Sequence, residues 1–101
     1  MGRLMYGADT TFMVDDLVLV HLRLVVMNKL RRGESFMLTL ASQDGEGGRR
    51  SLWMAPPIAH HFALTRASVP AIDREVLEAM IQQASDPDGL DLRPYTGDFN
   101  R

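Results

Sequence analysis

Cysteine is absent from the 101 residues, which excludes a disulfide framework and any thiolate metal site. Lysine is nearly absent too: Lys29 stands alone, and the other permanently charged cations are all arginine. Aromatic residues make up 7% of the chain, with Trp53 the single tryptophan, so a stacking surface would have to be built around very few rings. No long apolar run is present. The most apolar segment, Leu17–Met27, is interrupted by His21 and Arg23 and is too short to span a bilayer. The opening MGRLMYGADT lacks the apolar stretch of a signal peptide. A cytoplasmic protein without membrane contact is expected.

What is present fits a small folded domain. Hydrophobic residues make up 46% and charged residues 24%, ordinary values for a globular chain. At this length folding removes roughly 60–70% of the unfolded surface from water, enough for one core. One domain over residues 1–94 is expected, with a loose tail over 95–101. The net charge of −2 hides a pattern. Residues 1–22 carry −2, residues 23–66 carry +4 and residues 67–101 carry −4. A basic middle between acidic ends favours self-association or an anionic partner, but it is not the footprint of a dedicated DNA binder.

Arg3–Tyr6 and Thr11–Val14 read as short strands around the turn Gly7-Ala8-Asp9, an opening hairpin. The following segment is β-branched and partly alternating, but its ends are those of a helix. Asp15 and Asp16 offer a cap and first-turn negative charge, and Lys29, Arg31 and Arg32 fall in the last turn before Gly33. On a wheel, His21, Asn28 and Arg32 form one narrow polar stripe, so this helix should be buried around most of its circumference, on a sheet and against a second subunit. Three strands follow. Glu34–Ala41 sets Phe36, Leu38 and Leu40 on one face, with Met37, Thr39 and Ala41 on the other; Arg50–Ala55 sets Leu52 and Met54 against Ser51 and Trp53; His60–Arg66 sets Phe62 and Leu64 against His61, Ala63 and Thr65. Pro56-Pro57 stops the second of these or forces it to an edge. A second helix starts near Pro70, with Ile72, Val76, Met80 and Ala84 as its apolar stripe and Asp73, Glu75, Glu78 and Gln82 outside. It ends before the turn Asp86-Pro87-Asp88-Gly89, and Leu90–Arg93 offers a last edge strand. The order ββαβββαβ implies an α+β fold: one antiparallel sheet of five to six strands with two helices on one face.

Several segments together resemble a known family: G-R-L-M-Y-G, D-D-L-V-L-V-H-L, N-K-L-R-R-G-E-S-F, G-R-R-S-L-W-M and L-E-A-M. It is a family of small actinobacterial proteins of about this length with no established function. The resemblance runs from Gly2 to Leu92. Many members carry the automatic name "ATP-dependent DNA ligase", which implies a link to DNA. After Trp53 this chain departs, with M-A-P-P-I-A-H-H where the family continues with a His-Pro-Ser-Ile-Pro-like segment. The chemistry of the name can be tested. Such a ligase needs a lysine nucleophile in a K-x-D-G setting within a much larger nucleotide-binding domain. Lys29 lies in N-K-L-R, and neither Gln43-Asp44-Gly45 nor Pro87-Asp88-Gly89 follows a lysine. Ligation by this chain alone is not expected.

Five cations, Lys29, Arg31, Arg32, Arg49 and Arg50, form a candidate nucleic-acid contact. The plainer reading is a helix C-terminus whose charges answer the dipole. Met37, Thr39, Trp53 and Thr65 form a candidate interface or stacking face. A subunit contact is the first reading of Trp53, a core position with the strand register shifted by one is the second, and base stacking is the third. His60-His61 does not make a metal site, because neighbours on a strand point to opposite faces. Gly45-Glu46-Gly47-Gly48 lacks the ending of a phosphate loop, and Asp86-x-Asp88-Gly89 lacks the spacing of a calcium loop. No catalytic constellation, metal or cofactor is expected. The chain therefore reads as a self-associating binding module; a nucleic-acid-associated accessory protein is the alternative, and an enzyme comes last.

Overall fold

The computed structural model describes residues 2–41, 48–55, 60–63 and 71–95. Strands β1 (Gly2–Tyr6) and β2 (Thr10–Val14) form the opening hairpin, with Gly7 at φ +66° in its turn. Helix α1 runs Asp16–Arg31, followed by β3 (Phe36–Ala41), β4 (Arg49–Met54) and β5 (His60–Ala63). Helix α2 (Arg74–Ala84) and the short β6 (Leu90–Asp91) complete the order ββαβββαβ.

Among the described residues the strands do not form one sheet. They make two three-stranded sheets, in the orders β2-β1-β5 and β4-β3-β6. The expected single antiparallel sheet is thus corrected in two respects. First, β5 does not return beside β4 but pairs antiparallel with β1, Leu4 opposite Phe62. The sequence offers a reason: Pro56 and Pro57 follow β4, and a proline cannot donate to a ladder, so a tight hairpin back along β4 is disfavoured. Second, β6 runs parallel to β3, Leu38 opposite Leu90. The intervening α2 allows this, since parallel neighbours need a long crossover. The helices also do not share one sheet face. Helix α1 packs on β1 and on α2, while α2 packs on β3 and β6.

Helix α1 begins where its sequence provides a cap: the Asp15 carboxylate accepts from the Leu17 N–H at 2.9 Å. It stops at Gly33, which adopts φ +74°, a conformation costly for any residue with a Cβ. Val18, Leu22 and Val25 line its most buried edge with Leu19 beside them. Its solvent line is Arg23, Met27 and Arg31, rather than the His21–Asn28–Arg32 stripe. His21 is fully buried, Asn28 half-buried and Arg32 exposed.

Helix α2 starts later than expected. Asp73 is its N-cap, its carboxylate accepting from the N–H groups of Glu75 and Val76 at 3.0 and 3.3 Å. Ile72 therefore precedes the helix and is exposed rather than part of the apolar stripe, while Met80 and Ala84 are buried. Pro70 lies outside the described residues. His21 joins the two helices: the Asp73 N–H donates to its Nε2 at 2.9 Å, and its Nδ1 lies 2.7 Å from the Leu17 carbonyl. With Nε2 accepting from Asp73, the Nδ1–H is the group that donates to the Leu17 carbonyl. A residue that reads as part of a polar stripe is thus a core linker that positions the start of α2.

The sheet β4-β3-β6 keeps the alternation read from sequence. Phe36, Leu38, Leu40, Met54 and Leu90 are buried on its inner side. Gly89, at φ +79°, admits close approach of the chain to β3; a Cβ there would overlap the Met37 carbonyl.

Candidate functional site

The outer side of the sheet β4-β3-β6 is ordered in rows by its register. Trp53 lies opposite Met37, Ser51 opposite Thr39 and Arg49 opposite Ala41, while Asp91 flanks Thr39 on the other side. Trp53 is 51% exposed, so a register shifted by one, which would have buried it, is ruled out. Its backbone is held: the Tyr6 hydroxyl donates to the Trp53 carbonyl at 2.7 Å, tying β1 to the end of β4. The middle row is polar. Thr39 Oγ1 and Ser51 Oγ are 3.2 Å apart. Asp91 accepts from Arg93 Nη2 at 2.6 Å and Nε at 2.9 Å. That guanidinium holds the Asp91 carboxyl below its ordinary value, with a smaller contribution from Arg49. Ala63 lies on β5 in the other sheet, so it does not extend this face, and Thr65 lies outside the described residues.

Beside Trp53 opens a cleft of about 450 Å³, lined among others by Lys29, Glu34, Met37, Trp53, Ser85 and Asp86. Four elements, α1, β3, β4 and the end of α2, meet there because Gly33 turns the chain from α1 into β3 and α2 ends against the same corner. Three of the residues singled out from sequence, Lys29, Met37 and Trp53, are thereby brought together. Lys29 is not the exposed cation that its neighbours suggest. It is 7% exposed, its ammonium donating to Glu34 Oε1 at 3.3 Å and to the Ser85 hydroxyl. The pair is lopsided, since the Glu34 side chain is about half exposed, 49% against 8% for Lys29. The ammonium closes the corner between α1, the start of β3 and the end of α2. The cleft therefore contains one ammonium, already engaged, and two carboxylates, Glu34 and Asp86.

The remaining cations are divided. Arg31 and Arg32 are exposed at the end of α1, which leads straight into Phe36. Arg49 and Arg50 pair with Ala41 and Leu40 at the far end of β3. Five residues of strand, about 17 Å, separate the two ends. The structure thus does not gather the five cations into one patch. Asp73 and His21, which organise the helix junction, carried no sequence signal for their partnership, being 52 positions apart. Glu34, Ser85 and Asp86 were also missed as cleft residues. For Glu34 a signal existed, since it lies five residues after the lone lysine across a helix-ending glycine.

Among the described residues no three His, Asp or Glu side chains gather in a way that could hold a metal ion. The side chains of His60 and His61 lie outside the described residues. No helix there is long and apolar enough to cross a membrane. No curated protein and no solved structure matches the chain. Residues 1–95 match the model of a family described as a domain of unknown function, DUF7882, and the chain belongs to that family.

Proposed function

We propose that the chain is a small binding module without catalytic activity that self-associates through the outer face and edge of β4. One observation carries this reading: a half-exposed tryptophan on an edge strand beside an open cleft. Apolar surface left open on a small domain marks a contact site, and tryptophan is enriched in such contacts. The division of charge, with a basic middle and an acidic last third, supports attraction between copies. The non-catalytic part of the reading is supported by Lys29. The single lysine of the chain is enclosed and hydrogen-bonded, unlike a nucleophile that must present a free amine to a nucleotide. Ligation is therefore not part of this reading. A cytoplasmic location belongs to the same proposal and is supported by the cysteine-free composition.

Light scattering over a range of concentrations tests it. The mass should rise above 11.3 kDa for the wild type and stay at that value for Trp53→Ser. A wild type that remains monomeric at every concentration would remove the reading.

Nucleic-acid contact is the second reading, supported by Arg49 and Trp53 sharing the outer face of one strand. Stacking on the ring and a phosphate contact by the arginine would then act together. A mobility shift with single-stranded DNA at low salt, abolished in Arg49→Ala/Arg50→Ala but retained in Arg31→Ala/Arg32→Ala, would favour it. No shift at low salt would exclude it.

A further inference from the structure

Strand β4 has β3 on one side and, among the described residues, no strand on the other. It is six residues long and exposed over Arg49–Ser51 and again at Trp53. A free edge of this kind is a template for pairing with another strand. The side chains on its outer face follow the order Arg49, Ser51, Trp53, with a cation at one end and an aromatic ring at the other. An antiparallel copy of the same strand, turned about a two-fold axis at Ser51, brings each arginine opposite the partner copy's tryptophan. The geometry points to this arrangement: two copies of the chain pair β4 against β4 with Ser51 at the axis, so that Arg49 of each lies over Trp53 of the other and the two sheets become one. This inference rests on the self-association reading and specifies its surface.

Register and charge select the axis. Because strand side chains alternate, only axes through a residue keep the helices of both copies on the same side of the joined sheet. An axis through Arg50 would set two like charges directly opposite, which is unfavourable. An axis through Leu52 would pair Trp53 with serine and leave both arginines without the ring. The axis through Ser51 forms two guanidinium–indole contacts per dimer. It also brings each guanidinium to the rim of the cleft that Trp53 lines, where Glu34 and Asp86 outnumber the engaged Lys29. On the inner face it lays the Arg50 stem along Leu52, which is half-buried in the single chain.

The absence of native cysteine makes the test direct. Single variants Ser51→Cys, Leu52→Cys and, as a surface control on α2, Gln82→Cys are oxidised mildly and run on a non-reducing gel. Ser51→Cys should form a covalent dimer well ahead of the other two, because residues on the axis face their own copies at disulfide distance. In untethered protein Arg49→Gln should weaken dimerisation about tenfold, two cation–ring contacts being lost. If the wild type dimerises but Leu52→Cys cross-links first, or Ser51→Cys does no better than Gln82→Cys, the Ser51 axis is wrong and self-association survives. If the wild type is monomeric at all concentrations, both fall together.

Discussion

The two faces of the sheet β4-β3-β6 are made by the same three strands and meet opposite fates. On the inner face Phe36, Leu38, Leu40, Met54 and Leu90 are buried in the core. On the outer face a half-exposed tryptophan, a methionine, a Thr–Ser pair and an Asp–Arg pair follow one another across the rows. The inner face fixes the fold; on the outer face Thr39 is buried between Ser51 and Asp91, while Arg49, Ser51 and Trp53 are exposed. Lys29 and the β4 arginines make the same contrast among the cations. One is enclosed and holds a corner together, while the others stand in solvent on an edge strand.

If that division is right, mutational effects should fall steeply from the inside outward. Leu38→Ala, on the inner face, should cost about 3 kcal/mol in a denaturant titration, from lost burial plus an unfilled cavity. His21→Phe keeps much of the volume but strands the Asp73 N–H, while the Leu17 carbonyl keeps its helical bond; a loss of about 2 kcal/mol is expected in the same titration. Lys29→Met keeps the buried stem and removes the ammonium that Glu34 and Ser85 share. With Glu34 able to turn to water, the expected loss is about 1 kcal/mol. A loss above that of Leu38→Ala would place the corner, not the core, at the centre of the fold.

The smallest effect belongs to Asp91→Asn on the outer face. Arg93 holds the Asp91 carboxyl below its ordinary value, so the folded state binds that proton less readily than the unfolded chain. The stability from this pair is therefore present above the ordinary carboxyl range and is lost as the pH falls through the lowered value. Asp91→Asn should flatten the acid limb of a stability–pH curve slightly and leave neutral stability within the scatter of surface substitutions.

Much of this was legible from local chemistry. Asp15 and Gly33 mark the ends of α1 because a cap and a positive-φ turn depend on single residues. The in-and-out alternation of β3 and β4 was legible for the same reason, strand period being local. What could not be read depends on distant partners. Nothing near Phe62 says that it will lie opposite Leu4 rather than beside β4. His21 is a core linker only because Asp73 arrives from another part of the chain. Lys29 is an instructive middle case. It continues the line Val18, Leu22, Val25 at helical spacing, the most buried edge of α1. The periodicity pointed inward, but its basic neighbours Arg31 and Arg32 drew it into a surface cluster.

The claim that the outer face of β4 is a contact surface is tested most directly by measuring solution mass against concentration for wild type and Trp53→Ser side by side. The account predicts a wild-type mass rising toward twice 11.3 kDa, with the variant equally well folded but fixed at the single-chain value. A wild-type mass that stays at the single-chain value, or a variant that associates as readily as the wild type, would contradict it.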